Sequence, residues 1–192
     1  MILICQPKSG STSLIDTLGN CGYKICEVYK IKGEKLNDFT EMQKYHSNTD
    51  LRNKNVLTDI MESEIIYREH LLPCQQHFEV IEELGKPVLV LLRKPEYSFD
   101  SYERYLNVYG KKAKPELLHD LEKFNSEWKE FAKKKKYVLL IDYADLVKDF
   151  KNTFMKIITH FGLKLPDKYD TIILSKRLYT GVGEARLKNE SD

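Results

Sequence analysis

The sequence predicts an α/β protein, a three-layer α/β/α arrangement around a central, mainly parallel sheet of about four to five strands, in one domain over residues 1–192. Three observations predict it. Residues 2–5, 88–92 and 137–141 are short unbroken apolar runs, the pattern of strands buried on both faces. Stretches of helical periodicity lie between these runs, so strands and helices alternate along the chain. Most of those stretches stop at a glycine, as a helix C-terminus does.

The first run, Ile2-Leu3-Ile4-Cys5, breaks straight into Pro7-Lys8-Ser9-Gly10-Ser11-Thr12-Ser13, and a helix is expected over 12–18 with Gly19 as its cap. Weaker strand signals follow at 23–28, 55–60 and 64–68, and the polar stretch 33–54 reads as surface helix and loop. A helix over 75–84 closes at Gly85 and leads into the second strong strand. Helices over 96–109, closing at Gly110, and 115–134 precede the third, and a last helix over 151–161 closes at Gly162. The lysine run 133–136 reads as the basic end of a helix, where cations favour the dipole, rather than as a nucleic-acid patch.

Composition narrows the function classes. Charged residues make up 31% and apolar residues 42% of the chain, which fits a globular protein, and a net charge of +2 leaves no global field to draw nucleic acid. No apolar run reaches membrane-spanning length, and the short apolar start lacks the basic flank and cleavage site of a leader. The four cysteines, Cys5, Cys21, Cys26 and Cys74, form no C-x-x-C pair or zinc spacing and read as reduced thiols. A cytoplasmic protein is the expectation. No H-x-x-x-H or acidic pair suggests a metal, and with Lys and Arg to neutralise phosphates none is required.

The chemistry lies in the first turn. A buried strand that ends in a Gly/Ser/Thr turn and opens a helix is an anion cradle, because backbone N–H groups converge there and the helix dipole favours negative charge. Ser9, Ser11, Thr12 and Ser13 add hydroxyls, and Lys8 adds a mobile cation. The usual nucleotide loop, G-x-x-x-x-G-K-[ST], carries its lysine after the last glycine, whereas here Lys8 precedes Gly10. A second anion site is indicated where the strand 88–92 exits into Arg93-Lys94-Pro95, because open α/β sheets bind ligands at the carboxyl ends of their strands. The helix that follows brings Ser101 round to the same side.

The order P-K-S-G-[ST]-[ST] resembles the 5′-phosphosulfate loop of sulfotransferases that use 3′-phosphoadenosine-5′-phosphosulfate (PAPS). Arg93, Pro95 and Ser101 are similar to that family's 3′-phosphate motif, R-x-P-x-x-x-x-x-S, with the same separation of Arg and Ser. The stretch from Tyr137 through Asp142-Tyr143-Ala144-Asp145-Leu146 to Phe161-Gly162-Leu163 resembles the family strand that ends in Y-E-D-L and leads through a helix to F-L-G-L. The likeness covers residues 1–28 and 65–165.

The resemblance implies that Lys8, Ser9, Gly10, Ser11, Thr12 and Ser13 hold the 5′ end of the donor, that Arg93 and Ser101 hold the 3′-phosphate, and that Tyr143 faces the adenine. Lys8 is then the group that stabilises the departing bridging oxygen. His70, in Arg68-Glu69-His70-Leu71-Leu72-Pro73, sits where the family has K-T-H-L-P and is the expected general base, with Glu69, Asp59 and Glu62 as competing carboxylates. His77 is expected to be solvated. A basic C-terminal loop that closes the 3′-phosphate site draws its candidates from Arg177, Gly181, Gly183, Arg186 and Lys188, with Arg186 assigned to the nucleotide, although their spacing departs from K-G-x-x-G. The implied reaction moves a sulfuryl group from PAPS to a hydroxyl or amine of a small-molecule, carbohydrate or lipid acceptor and releases 3′,5′-ADP (PAP). Two alternatives stand beside it: a P-loop kinase of nucleotides or small molecules, and a non-catalytic nucleotide-binding protein on the same scaffold.

Overall fold

A computed structural model describes residues 1–27, 42, 64–167 and 169–175. Five strands form one sheet: β1 (Ile2–Cys5), β2 (Ile25–Glu27), β3 (Ile66–Glu69), β4 (Val88–Leu92) and β5 (Val138–Asp142). Their order is β2-β3-β1-β4-β5 and all pairings are parallel. The strong apolar runs are the three consecutive strands β1, β4 and β5, and every residue of β1 and β4 is buried.

Alternation along the strands sorts the apolar side chains into two cores. Ile2, Ile4, Val88, Val90 and Leu92 face a cluster with Ile81 of α2 (Gln75–Leu84), Tyr102 of α3 (Pro95–Asn107) and Leu121, Phe124 and Trp128 of α4 (Glu116–Lys133). Leu3, Cys5, Leu89, Leu91 and Ile141 face the other way, onto Leu14 and Leu18 of α1 (Ser11–Asn20), Leu146 of α5 (Tyr143–Lys148) and Phe154, Ile157, Ile158 and Phe161 of α6 (Phe150–Phe161). Helices on both faces of a parallel sheet make the three layers that the sequence predicts.

This connectivity creates a switch point. After β1 the chain crosses one face through α1 toward β2, and after β4 it crosses the other through α3 and α4 toward β5. The carboxyl ends of the adjacent strands β1 and β4 therefore open between two diverging connections, the place where such sheets hold ligands.

The differences from the expected elements have local causes. Gly19 does not end α1. The helix runs to Asn20, and Gly22, at φ 87°, takes the left-handed position. Gly22 N–H donates to Gly19 O at 2.9 Å and Tyr23 N–H to Leu18 O at 3.2 Å, which satisfies the last carbonyls as a Schellman motif. Helix α5 starts directly at Tyr143 because the Asp142 carboxylate caps it, accepting from Ala144 N–H at 2.9 Å. The lysine run ends α4 as expected. Lys133 and Lys134 pair with Glu130, and Lys135 reaches Glu82 at 2.6 Å. The expected strand at 55–60 and the basic tail from Arg177 onward lie outside the described residues.

Candidate active site

The loop between β1 and α1 is shaped for an anion. Lys8 has φ 62° and Gly10 φ 79°, two left-handed residues flanking Ser9. Such a reversal turns successive backbone N–H groups toward one concavity. Gly10 is the N-cap of α1 and no side chain caps that end, so the helix's first N–H groups lack both an intrahelical acceptor and a side-chain one. Ser9 is fully buried, and its Oγ has no hydrogen-bond partner among the described residues. Gly10 is required twice over. Its backbone is left-handed, and a Cβ there would run into the ring carbons of Tyr143.

Arg93 joins this loop to the end of β4. It is 5% exposed, and its Nη1 donates to the carbonyl of Lys8 at 3.0 Å. Its peptide is held from both sides. Arg93 N–H donates to Gln6 Oε1 at 2.6 Å, and Asn125 Nδ2 of α4 donates to Arg93 O at 2.8 Å. The guanidinium carbon lies 5.1 Å from the centre of the Tyr143 ring and 5.9 Å from that of Tyr97. Tyr143, expected to face adenine, is thus packed over Gly10 and beside Arg93, at the junction of the two motifs. Ser101 is buried in α3, on the helix that starts two residues after Arg93.

Lys8 reaches the opposite rim. Its ammonium lies 3.7 Å from the ring centroid of Tyr105 and 5.4 Å from that of Tyr102, both on α3. Tyr105 stands one helical turn after Ser101 and is half exposed, with Tyr109 edge-on at 5.2 Å.

The third wall is the end of β3. His70 Nδ1 lies 2.7 Å from Cys5 O, and Nε2 lies 3.1 Å from Arg68 Nη2. A carbonyl only accepts and a guanidinium only donates, so the proton sits on Nδ1 and the lone pair on Nε2 faces Arg68. Burial, and then the Arg68 charge, push the imidazole down to about pKa 4. Arg68 Nη2 also donates to Ser11 Oγ at 2.9 Å. The general-base role expected of His70 would use this Nε2 lone pair, which here faces Arg68 Nη2 under the loop. Glu69 accepts from His70 N–H at 3.2 Å, whereas Asp59 and Glu62 lie outside the described residues.

Several expectations concern residues that the fold uses elsewhere. His77 is buried, not solvated, with Nδ1 2.7 Å from Leu72 O. Burial pushes the Cys5 thiol up to about 11, which removes it from thiolate chemistry. Arg186 lies outside the described residues. Sequence reasoning missed Gln6, Arg68 and Asn125. Arg68 was findable, because it lies two residues before His70 on a strand and so faces the same side.

Together these groups fit a phosphate-type anion: an uncapped helix start, a left-handed loop rich in hydroxyls, and Lys8, Arg68 and Arg93 around it.

No protein-family model and no curated protein sequence matches the chain. Solved structures do. The structure of mouse sulfotransferase SULT7A1 complexed with PAP overlaps 88% of this chain and 60% of its own, at TM-score 0.56 and 18% identity. A sulfotransferase from Alicyclobacillus acidocaldarius overlaps 93% of this chain and 86% of its own, at TM-score 0.60 and 12% identity. A gluconokinase from Sinorhizobium meliloti 1021 overlaps at TM-score 0.42 and 15% identity, over 81% of this chain and 95% of the kinase. The chain has the sulfotransferase fold, a P-loop-like three-layer α/β/α arrangement. It spans about 60% of the length of the mouse structure.

Proposed function

We propose that this chain is a PAPS-dependent sulfotransferase that forms a sulfate ester or sulfamate on a hydroxyl or amine acceptor and releases 3′,5′-ADP. The observation that carries the reading is the 3.0 Å hydrogen bond from Arg93 Nη1 to Lys8 O. It joins the loop that would hold a 5′-phosphosulfate and the strand end that would hold a 3′-phosphate into one site of a single nucleotide. The fold likeness to a sulfotransferase crystallised with PAP supports the same reading.

The donor supplies an activated sulfuryl group: the acceptor oxygen or nitrogen bonds to sulfur and gives its proton to a carboxylate, for which Glu69, Asp59 and Glu62 are the candidates, while the bond from sulfur to the bridging oxygen breaks and 3′,5′-ADP leaves with the electron pair. The protein's contribution is position and charge. The loop and the start of α1 fix the 5′ end, Lys8 neutralises the oxygen on which charge develops, and Arg68 adds positive charge beneath Ser11. Arg93 and Ser101 select the 3′-phosphate. His70 stays neutral and holds Arg68.

Thermal stability tests the reading. It is expected to rise far more with 3′,5′-ADP than with ADP, because the second nucleotide leaves the Arg93 and Ser101 end unfilled. Equal shifts would overturn the 3′-phosphate assignment. Transfer from sulfur-labelled PAPS to a panel of hydroxyl and amine acceptors, lost in Lys8→Ala, tests the chemistry.

A further inference from the structure

We propose that Arg93 is also the brace that holds the 5′ anion loop in its binding shape, so that one side chain couples the two ends of the nucleotide site. This rests on the PAPS reading above and adds a second role to a residue whose assigned partner is the 3′-phosphate. Lys8 carries a Cβ yet adopts φ 62°, a conformation that costs a side-chain-bearing residue about 1–2 kcal/mol and persists only where its surroundings hold it. The Lys8 carbonyl is what Arg93 Nη1 holds, at 3.0 Å and inside a nearly buried environment where a charge-assisted hydrogen bond is strong.

Arg93 can brace because it is itself anchored. Its N–H is bound by Gln6 Oε1 and its carbonyl by Asn125 Nδ2, at 2.6 and 2.8 Å. Gln6 is fully buried and immediately precedes the loop, so Arg93 grips the loop at its start through its backbone and at its turn through its guanidinium. A guanidinium has five N–H donors spread over a planar fork, and the bond to Lys8 is made by Nη1 alone. The loop therefore reaches its anion-binding shape through the residue that reads the far end of the ligand.

Calorimetric titration with 3′,5′-ADP and with adenosine 5′-phosphosulfate separates the two roles, since the second ligand has the 5′ group and no 3′-phosphate. Ser101→Ala is expected to weaken 3′,5′-ADP and leave adenosine 5′-phosphosulfate unchanged. Arg93→Met, which keeps an apolar stem, is expected to weaken both, the phosphosulfate by about tenfold, the size of one lost charge-assisted hydrogen bond. In a Lys8→Gly background, where glycine adopts the left-handed turn unaided, that loss is expected to shrink to about threefold or less. The milder Arg93→Gln serves if the methionine variant does not fold, and is expected to lose about threefold. Wild-type affinity of the arginine variants for the phosphosulfate, or an equal loss in both backgrounds, overturns the brace. Amide hydrogen exchange without ligand gives a separate reading: Arg93→Met or Arg93→Gln speeds exchange across residues 6–13, Ser101→Ala does not, and unchanged exchange in the arginine variant overturns the brace. A wild-type protein that binds neither nucleotide but shows the exchange effect overturns the PAPS reading and keeps the brace.

Discussion

The Nε2 atom of His70 faces Arg68 Nη2 at 3.1 Å, and that same nitrogen of Arg68 donates to Ser11 Oγ at 2.9 Å. A histidine read from sequence as the base is thereby one end of a relay that sets a cation under the anion loop.

Replacement of His70 tests this directly. Loss of a true general base costs about 10²–10⁴-fold in turnover. His70→Asn, whose side-chain amide can replace the bond to Cys5 O but cannot act as a base, is expected to keep kcat within about tenfold of wild type, whereas His70→Ala also loosens Arg68 and weakens donor binding. Steady-state kinetics with a fixed acceptor decide it, and a loss of about a thousandfold in the asparagine variant would restore His70 as base.

Acid sensitivity follows from the same ring. The folded pKa, at about 4, lies below the ordinary value of 6.5, so between those values the unfolded chain binds a proton that the folded chain refuses. Stability contributed by this site is complete above pH 6.5 and falls as pH drops toward 4, by at most about 3 kcal/mol. Urea midpoints at pH 7 and pH 5 should diverge more for wild type than for His70→Asn, and parallel lines would refute the partly buried, neutral ring.

Gly10→Ala is expected to destabilise the protein by about 2 kcal/mol or more, since the left-handed backbone alone costs about 1–2 kcal/mol and the Tyr143 ring occupies the space of the new methyl. Chemical denaturation measures it. Adding Tyr143→Ala should recover the steric share, and no recovery would show that the ring is not the obstacle.

Tyr105 should matter through Lys8. A cation–π contact of this exposure contributes about 0.5–1 kcal/mol, so Tyr105→Leu is expected to lower turnover by about two- to fivefold while Tyr105→Phe leaves it unchanged. Single-turnover rates at saturating donor check this, and an equal loss in both variants would assign the effect to the hydroxyl instead.

What the residues alone determined was the scaffold and where on it the segments around Lys8 and Arg93 lie. Continuous apolar runs at 2–5 and 88–92 read as strands covered on both faces, and a parallel sheet then aims their carboxyl ends, with Lys8 and Arg93, to one edge. Local chemistry of that kind is legible because each run or turn carries its own signal. The tertiary structure decided the partners. Gln6 and Asn125 stand 87 and 32 residues from Arg93, and Cys5 stands 65 from His70, so no local pattern links them. His70 looked like a base because free imidazole titrates near neutrality. Only the folded chain sets a carbonyl on one ring nitrogen and a guanidinium on the other, because protonation and hydrogen-bond direction depend on neighbours brought together by packing rather than by sequence.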